Sequence, residues 1–146
     1  MRALIQRVSS ASVEIDGKHN GKIDTGLLIL LGITHADAEK DVSFLVEKCI
    51  NLRIFEDTEG KMNLSLLDIK GGMLIISQFT LYADAKKGRR PSFTDAARPE
   101  QAIPLYEKFL EEAQKTGLMV ANGIFGADMK VSLCNSGPVT IMLESC

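Results

Sequence analysis

The chain has 146 residues, 45% of them apolar and 25% charged, and carries a formal net charge of −2. That length suits one domain and can bury a core without disulfides or metal, and no stretch nears the roughly 18 uninterrupted apolar residues of a membrane span. A slightly acidic chain has no overall attraction for nucleic acid, so any RNA contact must come from a local basic patch. Cys49, Cys134 and Cys146 are far apart and lack C-x-x-C spacing. They argue against a disulfide framework or a zinc site and for a reducing, cytoplasmic compartment. The opening Met1-Arg2-Ala3-Leu4-Ile5-Gln6-Arg7 enters a polar alternation at once and is not expected to be a signal peptide.

Strands are predicted at residues 3–8 and 11–15, where apolar and polar residues alternate loosely. Asp16-Gly17 is a turn signal, which His19-Asn20-Gly21 is read as extending. Leu27-Leu28-Ile29-Leu30-Leu31-Gly32-Ile33 follows, the pattern of a strand covered on both faces. The first helix is expected after Asp37 as N-cap, with Val42, Leu45, Val46, Cys49 and Ile50 on one face. Residues 53–55 read as a short strand ending at the turn Asp57-Thr58-Glu59-Gly60. After a break at Gly71-Gly72 comes another apolar strand at 73–79, then an irregular segment at 83–98. A second helix is predicted from Pro99 or later to Thr116. Leu105, Tyr106, Phe109, Leu110 and Ala113 would face inward, with Pro104 in the first turn or at a kink. Two further strands, 129–134 and 139–143, are joined at Asn135-Ser136-Gly137-Pro138. Strands interrupted by two main helices give a single-domain α+β fold.

The familiar catalytic signatures are missing. Gly21 and Gly26 have the spacing of a phosphate-binding loop, but Leu27 stands where lysine is required, and there is no H-E-x-x-H. His19 and His35 fall in predicted loops, away from any nucleophile-like motif. No metal or cofactor is expected. Three segments remain. Ser77-Gln78-Phe79-Thr80-Leu81 ends a buried strand, where polar groups are costly unless hydrogen-bonded. It is either a strand end whose hydroxyls satisfy local backbone, or a gathering of hydroxyls and amides that can hold a carbonyl or oxyanion. Asn135-Ser136-Gly137-Pro138-Val139-Thr140 reads as a plain turn or as a rigid main-chain wall. Lys86, Lys87, Arg89 and Arg90, around Gly88, are a solvated loop or a contact for an RNA backbone.

Taken together, these segments resemble the D-aminoacyl-tRNA deacylase (D-tyrosyl-tRNA deacylase) family over nearly the whole chain. Ser77 to Leu81 matches the family's S-Q-F-T-L motif and Asn135 to Thr140 its N-x-G-P-V-T motif, in the family's order. Met1 to Val8, Gly60-Lys61-Met62-Asn63 and Arg90-Pro91-Ser92-Phe93 also look like family segments. The resemblance implies a homodimer with a mainly antiparallel, partly barrel-like sheet and active sites at the dimer interface. It implies a cis Gly137-Pro138 bond that reaches into the partner's pocket and rejects L-amino acids. Ser77, Gln78, Phe79 and Thr80 would line that pocket, acting largely through main chain on the aminoacyl group and terminal ribose, with Thr80 positioning rather than attacking. Lys86, Lys87, Arg89 and Arg90 would touch tRNA. Substrates would be D-aminoacyl-tRNA and also glycyl-tRNA, including that mischarged on tRNA-Ala, since glycine has no side chain to reject. No cofactor, membrane or DNA partner is implied.

The selectivity problem has a size. Thousandfold refusal of the L-form needs roughly 4 kcal/mol. A backbone wall that clashes with anything projecting in the L direction supplies it for every side chain at once. Two alternatives compete with this reading. In one, Thr80 or Ser77 is a covalent nucleophile and an acyl-enzyme forms. In the other, the chain is a nucleic-acid-binding or scaffolding protein without catalysis, working through the four cations.

Overall fold

β1 (Arg2–Ile15) is the spine of the molecule, pairing antiparallel with β2 (Lys18–Ile23), β3 (Gly26–Gly32) and β8 (Met129–Glu144). The sheet continues from β3 to β6 (Gly72–Ser77) and β7 (Val120–Asn122), both joined in parallel. β4 (Phe55–Glu56) and β5 (Met62–Leu64) form a separate antiparallel pair. The computed structural model of the chain describes residues 1–145; Cys146 lies outside them.

β1 alternates in burial until Arg7 and Val8, two consecutive residues that are both buried. Side chains on a strand alternate faces, so a local irregularity there re-aims the rest of the strand. Before it, Ala3 and Ile5 enter one core; beyond it, Val8, Ala11 and Val13 enter a second. β3 and β6 lie between the two. Leu27, Ile29, Leu31, Met73 and Ile75 face the first core, and Leu28, Leu74 and Ile76 the second. The continuous apolar run at 27–33 therefore does mark a strand covered on both faces. The curl of β1, β2 and β8 over one side of the sheet gives the partly barrel-like α+β architecture.

Two main helices cover the other side. α1 (Glu39–Asn51) buries Val42, Leu45, Val46 and Cys49. Its N-cap is Ala38, not Asp37. The Asp37 carboxylate is engaged elsewhere, by the charged Met1 amine at 2.6 Å and the Thr34 amide at 2.7 Å. Asp41 does the capping instead, accepting from the Ala38 amide at 2.8 Å. The short α2 (Leu66–Ile69) was not expected. It starts at Ser65, whose hydroxyl accepts from the Asp68 amide while the Asp68 carboxylate accepts from the Ser65 amide. α3 (Pro99–Gln114) has Pro99 in its first turn and buries Ala102, Leu105, Tyr106, Phe109 and Ala113. Tyr106 Oη donates to the Ile75 carbonyl at 2.8 Å and pins α3 to β6. Pro104 sits inside the helix, past the first turn, on its exposed side, where the lost N–H is cheapest.

Two expected turns are strand. Asp16 and Gly17 both have positive φ, 51° and 75°, and complete the reversal by themselves. Lys18 then pairs with Ile15 at once, so His19, Asn20 and Gly21 lie in β2. Residues 135–138, expected to join two strands, lie within the single strand β8. β1 is long enough to pair with both of its halves. Between Gln6↔Thr140 and Val8↔Asn135 the register shifts, and the surplus residues of β8 bulge out.

Candidate functional site

The bulge in β8 is held on three sides. The Asn135 side chain accepts from the Val139 amide at 2.8 Å and donates to the Val139 carbonyl at 3.2 Å and to Thr140 Oγ1 at 3.0 Å. Asparagine there closes the loop on itself. Arg7, buried, donates from Nε to the Ser136 carbonyl at 2.8 Å and from Nη1 to the Ile54 carbonyl at 2.7 Å. Val139 plugs the first core. Between these anchors the Gly137-Pro138 peptide bond is cis, and Gly137 has a φ of 136°. Serine, glycine and proline at 136–138 are exposed. Ser136 borders a hollow of about 610 Å³ lined also by Arg7, Phe55, Glu56 and Lys70.

The second segment lies where β6 stops. Ser77 is the last β6 residue, opposite Leu31, and the Gln78 amide donates to the Leu31 carbonyl at 2.7 Å. The chain then tightens into a 3-10 turn, Phe79–Tyr82. Such a turn leaves its first amides without partners inside it, here those of Phe79 and Thr80. Gln78 Nε2 donates to Thr80 Oγ1, so the Thr80 hydroxyl is held by a neighbour. Beside this turn is a cleft of about 290 Å³, with Ile76, Ser77, Gln78 and Phe79 on one wall and Phe125, Gly126, Ala127, Asp128 and Met129 on the other. The second wall went unnoticed in the sequence. Its only signal is the glycine pair Gly123 and Gly126, the latter at a φ of 77°.

The loop that carries the basic cluster starts and ends near the same turn. Asp84 and Ser92 exchange backbone hydrogen bonds at 2.8 Å, closing residues 84–92 into a loop with Lys86, Lys87, Arg89 and Arg90 at its exposed tip. Phe93, next in the chain, packs edge-on against the exposed Phe79, ring centroids 5.2 Å apart. The structure thus joins the base of the cationic loop, through Phe93, to the turn that follows Ser77 and Gln78.

It does not bring either to Gly137 and Pro138 within one chain. Ser77 is opposite Leu31, Leu31 opposite Ala3 and Ala3 opposite Leu143, whereas the bulge lies beside residues 6–8 of β1. The two segments are separated by two intervening strands and by roughly 10–17 Å along β1. His35 Nε2 is 2.7 Å from the Thr94 carbonyl, bracing the base of the cationic loop. Burial pushes the Cys49 thiol up to about 12, so it is inert at neutral pH; Cys134 is exposed on β8.

Residues 4–144 match the family described as D-Tyr-tRNA(Tyr) deacylase. A protein of Thermosipho melanesiensis named D-aminoacyl-tRNA deacylase is 58% identical over 146 residues, 99% of this chain and 97% of that one. A solved structure titled c-Myc DNA Unwinding Element Binding Protein superposes with a TM-score of 0.92 at 43% identity, covering 99% of this chain and 98% of its own. Another, titled as a probable eukaryotic D-amino acid tRNA deacylase, has a TM-score of 0.84 at 17% identity over 98% of each chain and shares the fold.

Proposed function

The chain belongs to the D-Tyr-tRNA(Tyr) deacylase family, and from that membership we propose how the two separated segments work. The enzyme is a D-aminoacyl-tRNA deacylase, a hydrolase acting on aminoacyl-tRNA. The observation that carries the reading is the cleft walled by Ser77, Gln78 and Phe79 at the end of a doubly covered strand, with Thr80 just beyond its lining and the Phe79 and Thr80 amides opening the 3-10 turn beside it.

Water adds to the ester carbonyl carbon, the negative charge builds on the carbonyl oxygen, and the C–O bond to the ribose breaks. The ribose oxygen takes up a proton, leaving tRNA and a free D-amino acid. An aminoacyl ester is already reactive, so two preorganised amides at the developing oxyanion are enough. Thr80, its hydroxyl tied to Gln78, positions and does not attack. Ser77, Gln78 and Phe79 shape the pocket. Lys86, Lys87, Arg89 and Arg90 hold tRNA phosphates.

Gly137 and Pro138 act on a second copy of the chain. Their separation from residues 77–80 in one protomer supports a homodimer in which each bulge enters the partner's cleft and blocks L-side chains. Glycyl-tRNA, with no side chain to block, is also hydrolysed. The protein works where tRNA is charged, in the cytoplasm. No helix among the described residues is long and apolar enough to cross a membrane.

The experiment is hydrolysis of D-tyrosyl-tRNA, L-tyrosyl-tRNA and glycyl-tRNA, with sedimentation to count protomers. Cleavage of the D-ester and glycyl-tRNA with the L-ester spared is expected from a dimer; equal cleavage of D and L, or a stable active monomer, removes the cross-protomer wall. A second reading comes from the relative named for a DNA unwinding element. It predicts that duplex DNA competes with tRNA for the cationic loop, and absence of competition dismisses it.

A further inference from the structure

The 3-10 turn rests on one end of the sheet. Glu144 on β8 is opposite Arg2 on β1, and Arg2 is opposite Gly32 on β3. Directly opposed residues of antiparallel strands project to the same face, so this row presents a carboxylate, a guanidinium and a gap side by side. The turn occupies the gap. A Cβ on Gly32 would stand 3.0 Å from Leu81 Cβ and 3.1 Å from the Gln78 carbonyl oxygen. Glycine there lets the turn lie directly on the sheet.

Arg2 then closes over the turn. Its Nη1 donates to the Leu81 carbonyl at 2.8 Å, and its guanidinium carbon lies 4.5 Å from the Tyr82 ring centroid. The last carbonyls of a helical turn lack partners of their own, and Arg2 satisfies one of them. Its Nε is 3.0 Å from Glu144 Oε1, which fixes the plane of the guanidinium. One cation therefore grips two consecutive residues of the turn and is itself aimed by a carboxylate. The flat, forked guanidinium can do both at once; an ammonium cannot. Arg2 is absent from the lining of the 290 Å³ cleft, so it touches the reaction only through the turn.

We propose that Arg2 is a positioning residue for hydrolysis, holding the turn so that the Phe79 and Thr80 amides meet the ester carbonyl, with Glu144 orienting it. The proposal rests on assigning that turn to the reaction, and the experiment separates the two. Hydrolysis of D-tyrosyl-tRNA is measured under steady-state and single-turnover conditions for Arg2→Met, Arg2→Lys, Glu144→Gln and Ala127→Trp, each with a melting curve.

Arg2→Met is expected to lower kcat at least tenfold with KM within twofold of wild type. Arg2→Lys should recover part of the loss, and Glu144→Gln should lose a smaller amount of kcat with its melting temperature unchanged. Wild-type kcat in Arg2→Met, or a loss confined to KM, overturns the role. If Arg2→Met melts too early to assay, Glu144→Gln decides, and wild-type kcat there overturns it. Ala127→Trp fills the cleft and is expected to abolish hydrolysis. If it does so while Arg2→Met stays fully active, the cleft stands and the role of Arg2 falls. If Ala127→Trp hydrolyses normally, the cleft assignment falls and takes the proposal with it.

Discussion

Arg7 Nε donates to the carbonyl of Ser136 at 2.8 Å, joining residues 129 apart in the chain. The same guanidinium donates to Ile54, so the bulge of β8 is referenced to the interior of the domain and not to its own strand alone. Arg7→Met would remove the donor from both carbonyls, at a cost of about 2–3 kcal/mol. Urea unfolding should show that loss, and the ratio of D- to L-tyrosyl-tRNA hydrolysis should fall as the bulge loosens. An unchanged ratio in a folded variant would detach Arg7 from selectivity.

Gly137 tolerates no side chain. Its φ of 136° is one that L-residues rarely adopt, and a Cβ would lie 2.8 Å from Arg7 Nη2 and 2.9 Å from Val139 Cγ2. Gly137→Ala is expected to destabilise by roughly 1–3 kcal/mol and to reduce D-tyrosyl-tRNA hydrolysis at least tenfold. Melting and initial rates check both.

Neutralising Lys86, Lys87, Arg89 and Arg90 together to glutamine should raise KM for tRNA and leave kcat at saturation unaltered. For every phosphate that no longer meets a cation, the slope of log KM against log salt should flatten by about 0.7–0.9. A titration from low to moderate salt reads this directly. An unaltered slope would return the loop to a solvated face.

Asp41 sets a pH dependence of stability. Burial alone would raise its pKa, but the Ala38 amide, the Ser145 hydroxyl and the nearby terminal amine outweigh it and hold the carboxyl below its usual value. A group whose pKa is lowered by folding contributes above its unfolded value, near 4, and loses that contribution as pH falls through the folded value. Asp41→Asn should therefore be less stable by about 1 kcal/mol at pH 7, and the difference should vanish in strong acid. Urea midpoints at neutral and acidic pH test the sign.

Much of the scaffold was legible because burial writes itself as hydrophobic period. The run at 27–33, the stripe Val42, Leu45, Val46 and Cys49, and the stripe Leu105, Tyr106 and Phe109 each named their element. β2, β5 and β7 were illegible because they are short and nearly all of their side chains stay partly or fully exposed. They are strands only because a neighbour offers an edge. Asn135 to Pro138 misled for a related reason. Glycine and proline announce a local reversal, but whether a chain reverses or bulges depends on the length of the strand beside it, and β1 is 14 residues long. The proposed site rests on two motifs that the family resemblance ties together. The wall at 125–129 carries no motif, and Arg2 looked like an ordinary residue near the start of the chain. The roles proposed for them depend on contacts between segments far apart in the chain, which no local window contains.

Among the described residues β8 pairs only with β1, a strand from the opposite end of the chain. Pairings so distant in sequence must pay loop-closure entropy before they gain anything, and they slow folding. As the chain is synthesised, one edge of β1 stays open until β8 has emerged. An open edge is a template for wrong pairing. The segment proposed to tell D from L is therefore among the last to take shape, and so is the part of the cleft wall that Met129 supplies from the start of the same strand.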